Sequence, residues 1–268
     1  RLERALSGHD AVPVAVGSGS LNDIVKRATY ELERPYMNVA TAASMDGYTA
    51  FGAAITKEGY KQTMTCPAPR ALVADLEVLA GAPADMTASG YGDLLGKVTA
   101  GADWLVADAL EVEKIDPKVW ALVQGPLREA VGRPAELAAG DPQAMDMLIE
   151  GLIMSGLAMQ AHASSRPASG AEHQFSHLWE MEGLGRDRRP PLSHGFKVGV
   201  GTVAVAALYE RLLCPLDAFA ATLRRRSLGP CDLPGHVSPL PSPSASPTLE
   251  LVQETLRELL PFHQRVPQ

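Results

Sequence analysis

Three histidines in the second half of the chain are the side chains best suited to chemistry. His173 and His177 lie four positions apart, so on a helix their imidazoles share one face. They could bind one metal ion together, or one could bind the metal while the other faces a substrate. His194 follows, just before an apolar helical stretch. Spacing alone leaves surface or core histidines equally open, because His-x-x-x-His is common and this one lacks the glutamate of the HExxH motif.

Two aspartates could complete such a site. Asp93 lies in a predicted helix between Gly92 and Gly96, which would let another backbone approach closely. Two or three imidazoles with one carboxylate suit Zn²⁺, Ni²⁺ or Fe²⁺. Asp46 precedes Gly47, so it could cap an Asp-Gly turn or bind a polar substrate group at a cleft between domains.

A glycine-serine turn, Gly17-Ser18-Gly19-Ser20, follows the apolar run 11–16, which we interpret as a buried strand. Ser20 is predicted to cap a helix that begins near Leu21. Free backbone N–H groups at such a turn could bind a dinucleotide pyrophosphate, although the turn is not the full GxGxxG fingerprint. A second turn, from Thr41 to Ser44, ends the next predicted strand at the same sheet edge. With both turns at one edge, an anion-binding site and a pair of ordinary tight turns are equally well supported interpretations.

A loop rich in serine and glycine, residues 163–170, precedes the histidine helix. Its Arg166 could offer a guanidinium group to a phosphate. A flexible connection with an exposed arginine explains the same composition slightly better.

The elements that must position these residues change character along the chain. Apolar runs at 11–16, 36–40 and 71–74 alternate with helical stretches, which predicts a mostly parallel sheet. After Pro83, a suitable first helical residue, helices are predicted at 94–110, 146–159, 171–181 and 198–213. Residues 233–247 are rich in proline and serine and predict a linker, followed by a short amphipathic helix.

Composition excludes several classes of partner. A net charge of −7 argues against nucleic acid and anionic membranes. The apolar stretches are too short to span a bilayer, and no CxxC spacing occurs among Cys66, Cys214 and Cys231. These features predict a cytoplasmic protein without membrane insertion.

Six stretches together give a more specific interpretation. They are GSGSLNDIVK (17–26), TAASMDGYTA (41–50), ALVADLEVLAGAP (71–83), SGYGDLLGK (89–97), SSRPASGAEHQFSH (164–177) and SHGFKVGVGT (193–202). In this order they resemble the sn-glycerol-1-phosphate dehydrogenase family. That family lies within the superfamily of iron-type alcohol dehydrogenases, glycerol dehydrogenases and dehydroquinate synthases. The resemblance covers roughly residues 10–213, and six ordered motifs are far more specific than any one of them.

The resemblance implies an α/β plus all-α fold of the dehydroquinate synthase-like kind. A Rossmann-like nucleotide domain would occupy residues 1–82, a helical metal and substrate domain 83–232, and a linker with a short helix 233–268. The active site would lie in the cleft between the first two. The family's elements before the glycine-serine turn are missing from this sequence, so we expect the nucleotide domain to be N-terminally incomplete.

The resemblance also implies roles for individual residues. Asp93, His173 and His194 match the metal ligands, and Asp93 therefore also lines the substrate site. Asp46 matches a substrate contact, and His177 a residue on the substrate side. The cofactor contacts are Gly17, Ser18, Gly19, Ser20, Thr41, Ser44 and Ala50, the last standing where many relatives carry serine.

The implied reaction interconverts dihydroxyacetone phosphate and sn-glycerol 1-phosphate, with NAD or NADP as the cofactor. It also implies one divalent ion, of which Zn²⁺ is the most expected and Ni²⁺ or Fe²⁺ are the alternatives. His177 or a metal-linked water would supply the proton. Arg166, Lys97 and Lys197 are candidates for the substrate phosphate. A homodimer or larger homo-oligomer fits this interpretation. The alternatives are a dehydrogenase for another polyol or its phosphate, and a non-catalytic ligand-binding remnant.

Overall fold

The structure is a computed structural model that describes residues 2–57 and 60–226, with side chains for residues 2–55 and 62–212. The predicted linker at 233–247 and the short helix after it lie outside the described residues.

Three short parallel strands form the sheet of the first part of the chain. They are β1 (Val14–Gly17), β2 (Met37–Ala40) and β5 (Ala71–Ala74), in the order β1-β2-β5. The third predicted strand is confirmed, and the second begins one residue later than expected. The prediction of a buried strand at 11–16 was wrong in two respects. The strand begins only after Pro13, which has no N–H to donate, and Val14 and Val16 are 48% and 57% exposed.

An antiparallel hairpin between β2 and β5 was not predicted. Its strands are β3 (Ala53–Lys57) and β4 (Tyr60–Met64). Both are short and mix polar with apolar residues, so they lack the continuous apolar run that indicated the parallel strands.

Helices form every other described element. The prediction for 171–181 is confirmed. The helices predicted at 146–159 and 198–213 are parts of longer ones, and the one predicted at 94–110 begins ten residues earlier and ends one residue earlier. Pro83 precedes its helix as the capping residue instead of occupying the first helical position. The helices are α1 (Leu2–Leu6), α2 (Gly19–Glu31), α3 (Leu76–Ala80), α4 (Ala84–Ala109), α5 (Pro117–Ala130), α6 (Pro134–Ala138), α7 (Pro142–His162), α8 (Ala171–Met181) and α9 (His194–Arg226).

The central core joins the sheet to the helices. Ala43 and Tyr48, from the segment after β2, are buried in one cluster with Leu94 of α4 and with Leu148 and Leu152 of α7. This packing brings the carboxyl end of the parallel strands against α4, where ligands bind in open α/β sheets. Within the described residues, every strand ends before residue 75 and only helices follow; the division into domains at residue 82 stays a prediction.

No helix in the described part of the chain is both long enough and apolar enough to cross a membrane.

Candidate metal centre and active site

Asp93 of α4, His173 of α8 and His194 of α9 converge on one point. Each offers a ligand atom, and these atoms all lie within 4.8 Å of one another. Asp93 and His173 are buried, whereas the His194 side chain keeps 29% of its surface exposed. The structure therefore brings together the three residues that the resemblance implied, from three separate helices.

Glycines on α4 allow this close approach. A Cβ on Gly92 would lie 2.5 Å from the carbonyl oxygen of Gly195, the residue after His194. A Cβ on Gly96 would lie 2.7 Å from Val198 and 3.5 Å from the His173 ring. The glycines on either side of Asp93 thus bring α8 and α9 into contact with α4, as the sequence predicted.

A buried glutamate fixes the ring of His173. Glu172 Oε1 lies 2.7 Å from His173 Nδ1, and His173 Nε2 lies 3.4 Å from Asp93 Oδ1. Glu172 also accepts hydrogen bonds from Thr99 Oγ1 at 2.6 Å and from the Gly170 N–H at 2.6 Å. Burial raises the pKa of Glu172, but these hydrogen bonds outweigh it and lower that pKa below its ordinary value.

A second carboxylate lies behind His194. Glu180 Oε1 is 2.9 Å from His194 Nδ1, and Ser176 Oγ is 3.3 Å from the same nitrogen. Because these contacts engage Nδ1, Nε2 is the nitrogen through which His194 would bind a cation. Carboxylates that accept from the distal nitrogen of a metal-binding imidazole fix its tautomer and its orientation.

Lys97 connects Asp93 with Asp46. Its buried ammonium nitrogen lies 2.8 Å from Asp46 Oδ2 and 2.8 Å from Asp93 Oδ1. Ser155 Oγ donates to Asp46 Oδ2 at 2.8 Å, and the Asp46 N–H donates to Asp93 Oδ2 at 3.1 Å. Lys97 was a candidate for the substrate phosphate, but the structure engages its ammonium with two carboxylates.

The contacts among Lys97, Asp46 and Asp93 determine the charges of Asp93 and Lys97. Burial raises the pKa of Asp93, but the Lys97 ammonium and the His173 hydrogen bond hold it well below its usual range. Burial lowers the pKa of Lys97, but Asp46 and Asp93 outweigh this and raise it. Asp93 is therefore an anion at neutral pH, which is the state a metal ligand requires.

His177 lies at the margin of the cluster and is half-buried. Its ring centroid is 6.2 Å from that of His173 and 5.9 Å from that of His194. It follows His173 by one turn of α8, as the spacing predicted, and it does not belong to the group within 4.8 Å.

The two predicted anion-binding turns meet at one edge of the sheet. Gly17 pairs with Ala40, and the Thr41 N–H donates to the Gly17 oxygen at 3.3 Å. Ser20 was predicted to cap α2, but the capping position is Ser18, whose backbone oxygen accepts from residues 21 and 22 while its side chain makes no capping hydrogen bond.

The remaining predicted contact residues are Ala50, Arg166 and Lys197. Ala50 is buried and packs with Met159 and Ala168. Arg166 Nε lies 2.6 Å from Glu113 Oε2, and Arg166 lines a cavity of about 350 Å³ that has no lining residue from the Asp93 cluster among those described. Lys197 lies one turn after His194, is buried, and donates to the Leu192 oxygen at 3.1 Å.

The carboxylates behind the imidazoles were not predicted from the sequence. Glu172 is adjacent to His173, so a signal existed, but adjacent residues on a helix point in different directions and the contact was not evident. Glu180 is fourteen positions before His194, and no local pattern links them. The Asp93–Lys97 pair did have a signal, because its i,i+4 spacing puts both charges on one face of α4.

Comparison with known proteins shows which proteins this chain resembles. The family model described as iron-containing alcohol dehydrogenase matches residues 1–83. Glycerol-1-phosphate dehydrogenase [NAD(P)+] of Halalkalibacterium halodurans is 43% identical over 197 residues, which cover 74% of this chain and 49% of the relative.

The chain resembles the iron-containing alcohol dehydrogenase family.

Other relatives confirm the predicted resemblance. Glycerol-1-phosphate dehydrogenase [NAD(P)+] of Bacillus subtilis is 42% identical over 201 residues, 75% of this chain and 51% of the relative. The enzyme of that name from Archaeoglobus fulgidus is 35% identical over 210 residues, 78% of this chain and 58% of the relative. The chain spans about half the length of the curated relatives from H. halodurans and B. subtilis.

A solved structure confirms the predicted fold class. The crystal structure of a probable glycerol dehydrogenase from Sinorhizobium meliloti has a TM-score of 0.66 at 21% identity, and the match covers 100% of this chain and 81% of that one. The iron-containing alcohol dehydrogenase fold therefore accounts for the parallel sheet followed by helices.

Proposed function

We propose that this protein interconverts dihydroxyacetone phosphate and sn-glycerol 1-phosphate, with NAD or NADP as the hydride carrier and a divalent cation held by Asp93, His173 and His194. The observation that carries the proposal is the convergence of these three ligands in a chain 43% identical to a glycerol-1-phosphate dehydrogenase.

The donor set fits a divalent transition metal. One carboxylate and two imidazoles are typical of catalytic zinc sites, and the same ligands accept Ni²⁺ or Fe²⁺. Glu172 and Glu180 hold the Nδ1 side of each ring, which supports binding through Nε2. Among these three cations, we expect Zn²⁺ to be the one that the site binds.

When bound, the cation would polarise the C2 carbonyl oxygen, and the nicotinamide would supply or accept the hydride at C2. Asp46 lies beside the proposed metal ligands, where Lys97 and Ser155 hold its Oδ2. Its other oxygen can then accept a hydrogen bond from a substrate hydroxyl group. Fixed side chains of this kind orient the substrate before the reaction.

We assign to His177 the transfer of the proton to and from the substrate oxygen. Reduction of the carbonyl requires one proton at oxygen, and oxidation of the alcohol releases it. An imidazole can hold or give up a proton near neutral pH, and that of His177 lies next to both ligand imidazoles.

The edge of the sheet is the proposed cofactor site. The N-terminus of α2, after Gly17 and Ser18, would bind the pyrophosphate through its backbone N–H groups. Thr41 and Ser44 follow β2 at the same edge and would provide the neighbouring contacts.

For the substrate phosphate we favour Lys197 over the other two cationic candidates. It lies on α9 one turn after the proposed ligand His194. Arg166 instead lines a cavity with no described lining residue from the Asp93 cluster, and the Lys97 side chain has no exposed surface.

Steady-state oxidation of glycerol 1-phosphate and of glycerol, with NAD⁺ and with NADP⁺, tests the proposal. We expect a higher kcat/KM for glycerol 1-phosphate, and loss of activity on metal chelation. Equal values would indicate a dehydrogenase for unphosphorylated polyols. If calorimetry detected binding of neither NADH nor NADPH, the non-catalytic alternative would replace the proposal.

A further inference from the structure

Lys26 of α2 is a buried lysine that the proposed mechanism does not use. Its side chain has no exposed surface, and its ammonium lies 3.0 Å from the Gly47 oxygen, 2.9 Å from the Ala50 oxygen and 2.9 Å from the Gly52 oxygen. An ammonium group has three protons to donate, so three carbonyl oxygens match it. The nearest carboxylate oxygen, on Asp23, is 3.9 Å away.

All three carbonyls belong to the segment between β2 and the hairpin, residues 47–52, which directly follows Asp46. Asn22, one turn before Lys26 on α2, donates from Nδ2 to the Gly47 oxygen at 3.2 Å. On the opposite side, Thr49 Oγ1 donates to the Ile153 oxygen of α7 at 2.8 Å. The segment therefore lies between α2 and the helical core, and neither flanking strand extends into it.

Burying an ammonium costs free energy that an apolar side chain of similar length would not incur. A buried ammonium is tolerated where its N–H groups donate to backbone carbonyls that have few other hydrogen-bond donors nearby. Within the segment, the Ala50 N–H donates to the Gly47 oxygen at 3.4 Å, and the Gly52 N–H donates to the Cys66 oxygen at 2.8 Å.

We propose that Lys26 is a positioning residue that orders residues 47–52 and so keeps Asp46 against Lys97 and Ser155. The same helix begins at the glycine-serine turn, so Lys26 ties the proposed pyrophosphate site to the substrate side of the proposed active site. The catalytic consequence rests on the proposed function, whereas the ordering of the segment does not.

Hydrogen exchange measured by mass spectrometry tests the ordering directly. In Lys26→Met, which keeps the length of the side chain and removes the ammonium, we expect exchange in peptides covering 46–52 to rise by about tenfold or more. Peptides from α4 and α7 should keep their wild-type rates. Lys118→Met, at an exposed position of α5, is the matched control and should leave both regions unchanged. Unchanged exchange of 46–52 in Lys26→Met would overturn the proposal.

Kinetics provide the second measurement. If Asp46 is displaced, the KM for glycerol 1-phosphate should rise more than kcat falls, and Lys26→Arg should restore part of the loss because it keeps a buried donor. Losses that only follow the fall in global stability would contradict a positioning role. If the wild-type protein proved inactive, the proposed function would fail while the exchange measurement would still decide this inference. If Lys26→Met did not fold, Lys26→Gln would replace it; failure of both would overturn the proposal, because Lys26 would then stabilise the whole fold.

Discussion

Glu172 and Glu180 illustrate what the site requires of single residues. Neither would bind the cation itself, yet each holds the Nδ1 of one proposed ligand. Removing such an outer carboxylate typically lowers metal affinity by about 10- to 100-fold. We therefore expect Glu180→Gln, which keeps the shape and removes the charge, to weaken Zn²⁺ binding by about that factor in a competition titration. Glu182→Gln, at an exposed position two residues later, is the control; equal affinity in the two variants would contradict the assigned role.

The lowered pKa of Glu172 predicts a dependence of stability on pH. Because the folded-state pKa lies below the ordinary value of 4.5, ionised Glu172 stabilises the fold above that value. This contribution is lost as the pH falls through the folded-state pKa. The melting temperature of the metal-free protein should therefore fall as the pH drops below 4.5, and less steeply in Glu172→Gln. Identical slopes would show that Glu172 contributes nothing to acid unfolding.

Residue roles could be predicted only in part from the sequence. The spacing of His173 and His177 favoured neither of its two interpretations, and the ordered motifs were needed to pair His173 with Asp93 and His194. The structure supports that grouping by distance. Partners distant in sequence, such as Glu180 for His194, were not predictable because only the folding of α8 against α9 brings them together.

At the scale of elements, the crossing of α4 and α9 places two of the three proposed ligands. Gly92 meets the backbone of Gly195 there, and backbone cannot move aside as a flexible side chain would. We expect Gly92→Ala to destabilise the fold by about 1–3 kcal/mol, measured by urea unfolding, and to weaken metal binding. Gly125→Ala is the matched control on α5, because a Cβ there meets nothing within 4 Å. That control should be neutral or stabilising by up to about 1 kcal/mol. Equal stability of the two variants would show that the crossing tolerates a methyl group.

Elements with a clear period were predicted, and those formed against local signals were not. The amphipathic pattern of α8 gave both of its ends correctly. By contrast, α5 carries an internal proline, Pro126, which normally argues against a helix, although Asp116 caps its start with two hydrogen bonds. The strands of the hairpin β3–β4 pair although their sequences do not alternate regularly between polar and apolar residues.

At the scale of the whole molecule, the proposed metal would join α4 to α8 and α9, two consecutive helices much later in the sequence. A cation that binds only the folded state stabilises it by mass action, so its binding can be measured on the fold itself. Order along the chain, a sheet followed by helices, was predictable from the change in periodicity near residue 82. The packing of the segment after β2 against α4 could not be predicted, because that contact depends on side chains from several elements.

The most direct test of the account is a Zn²⁺ titration of the metal-free protein, followed by thermal unfolding and by a competing chelator. Wild type should bind one ion per chain, with a melting temperature that rises with free Zn²⁺. Asp93→Asn should lose most of the affinity and the rise, whereas Asp85→Asn, exposed in the first turn of the same helix, should behave as wild type. Undiminished Zn²⁺ affinity in a folded Asp93→Asn protein would contradict the metal site on which the account depends.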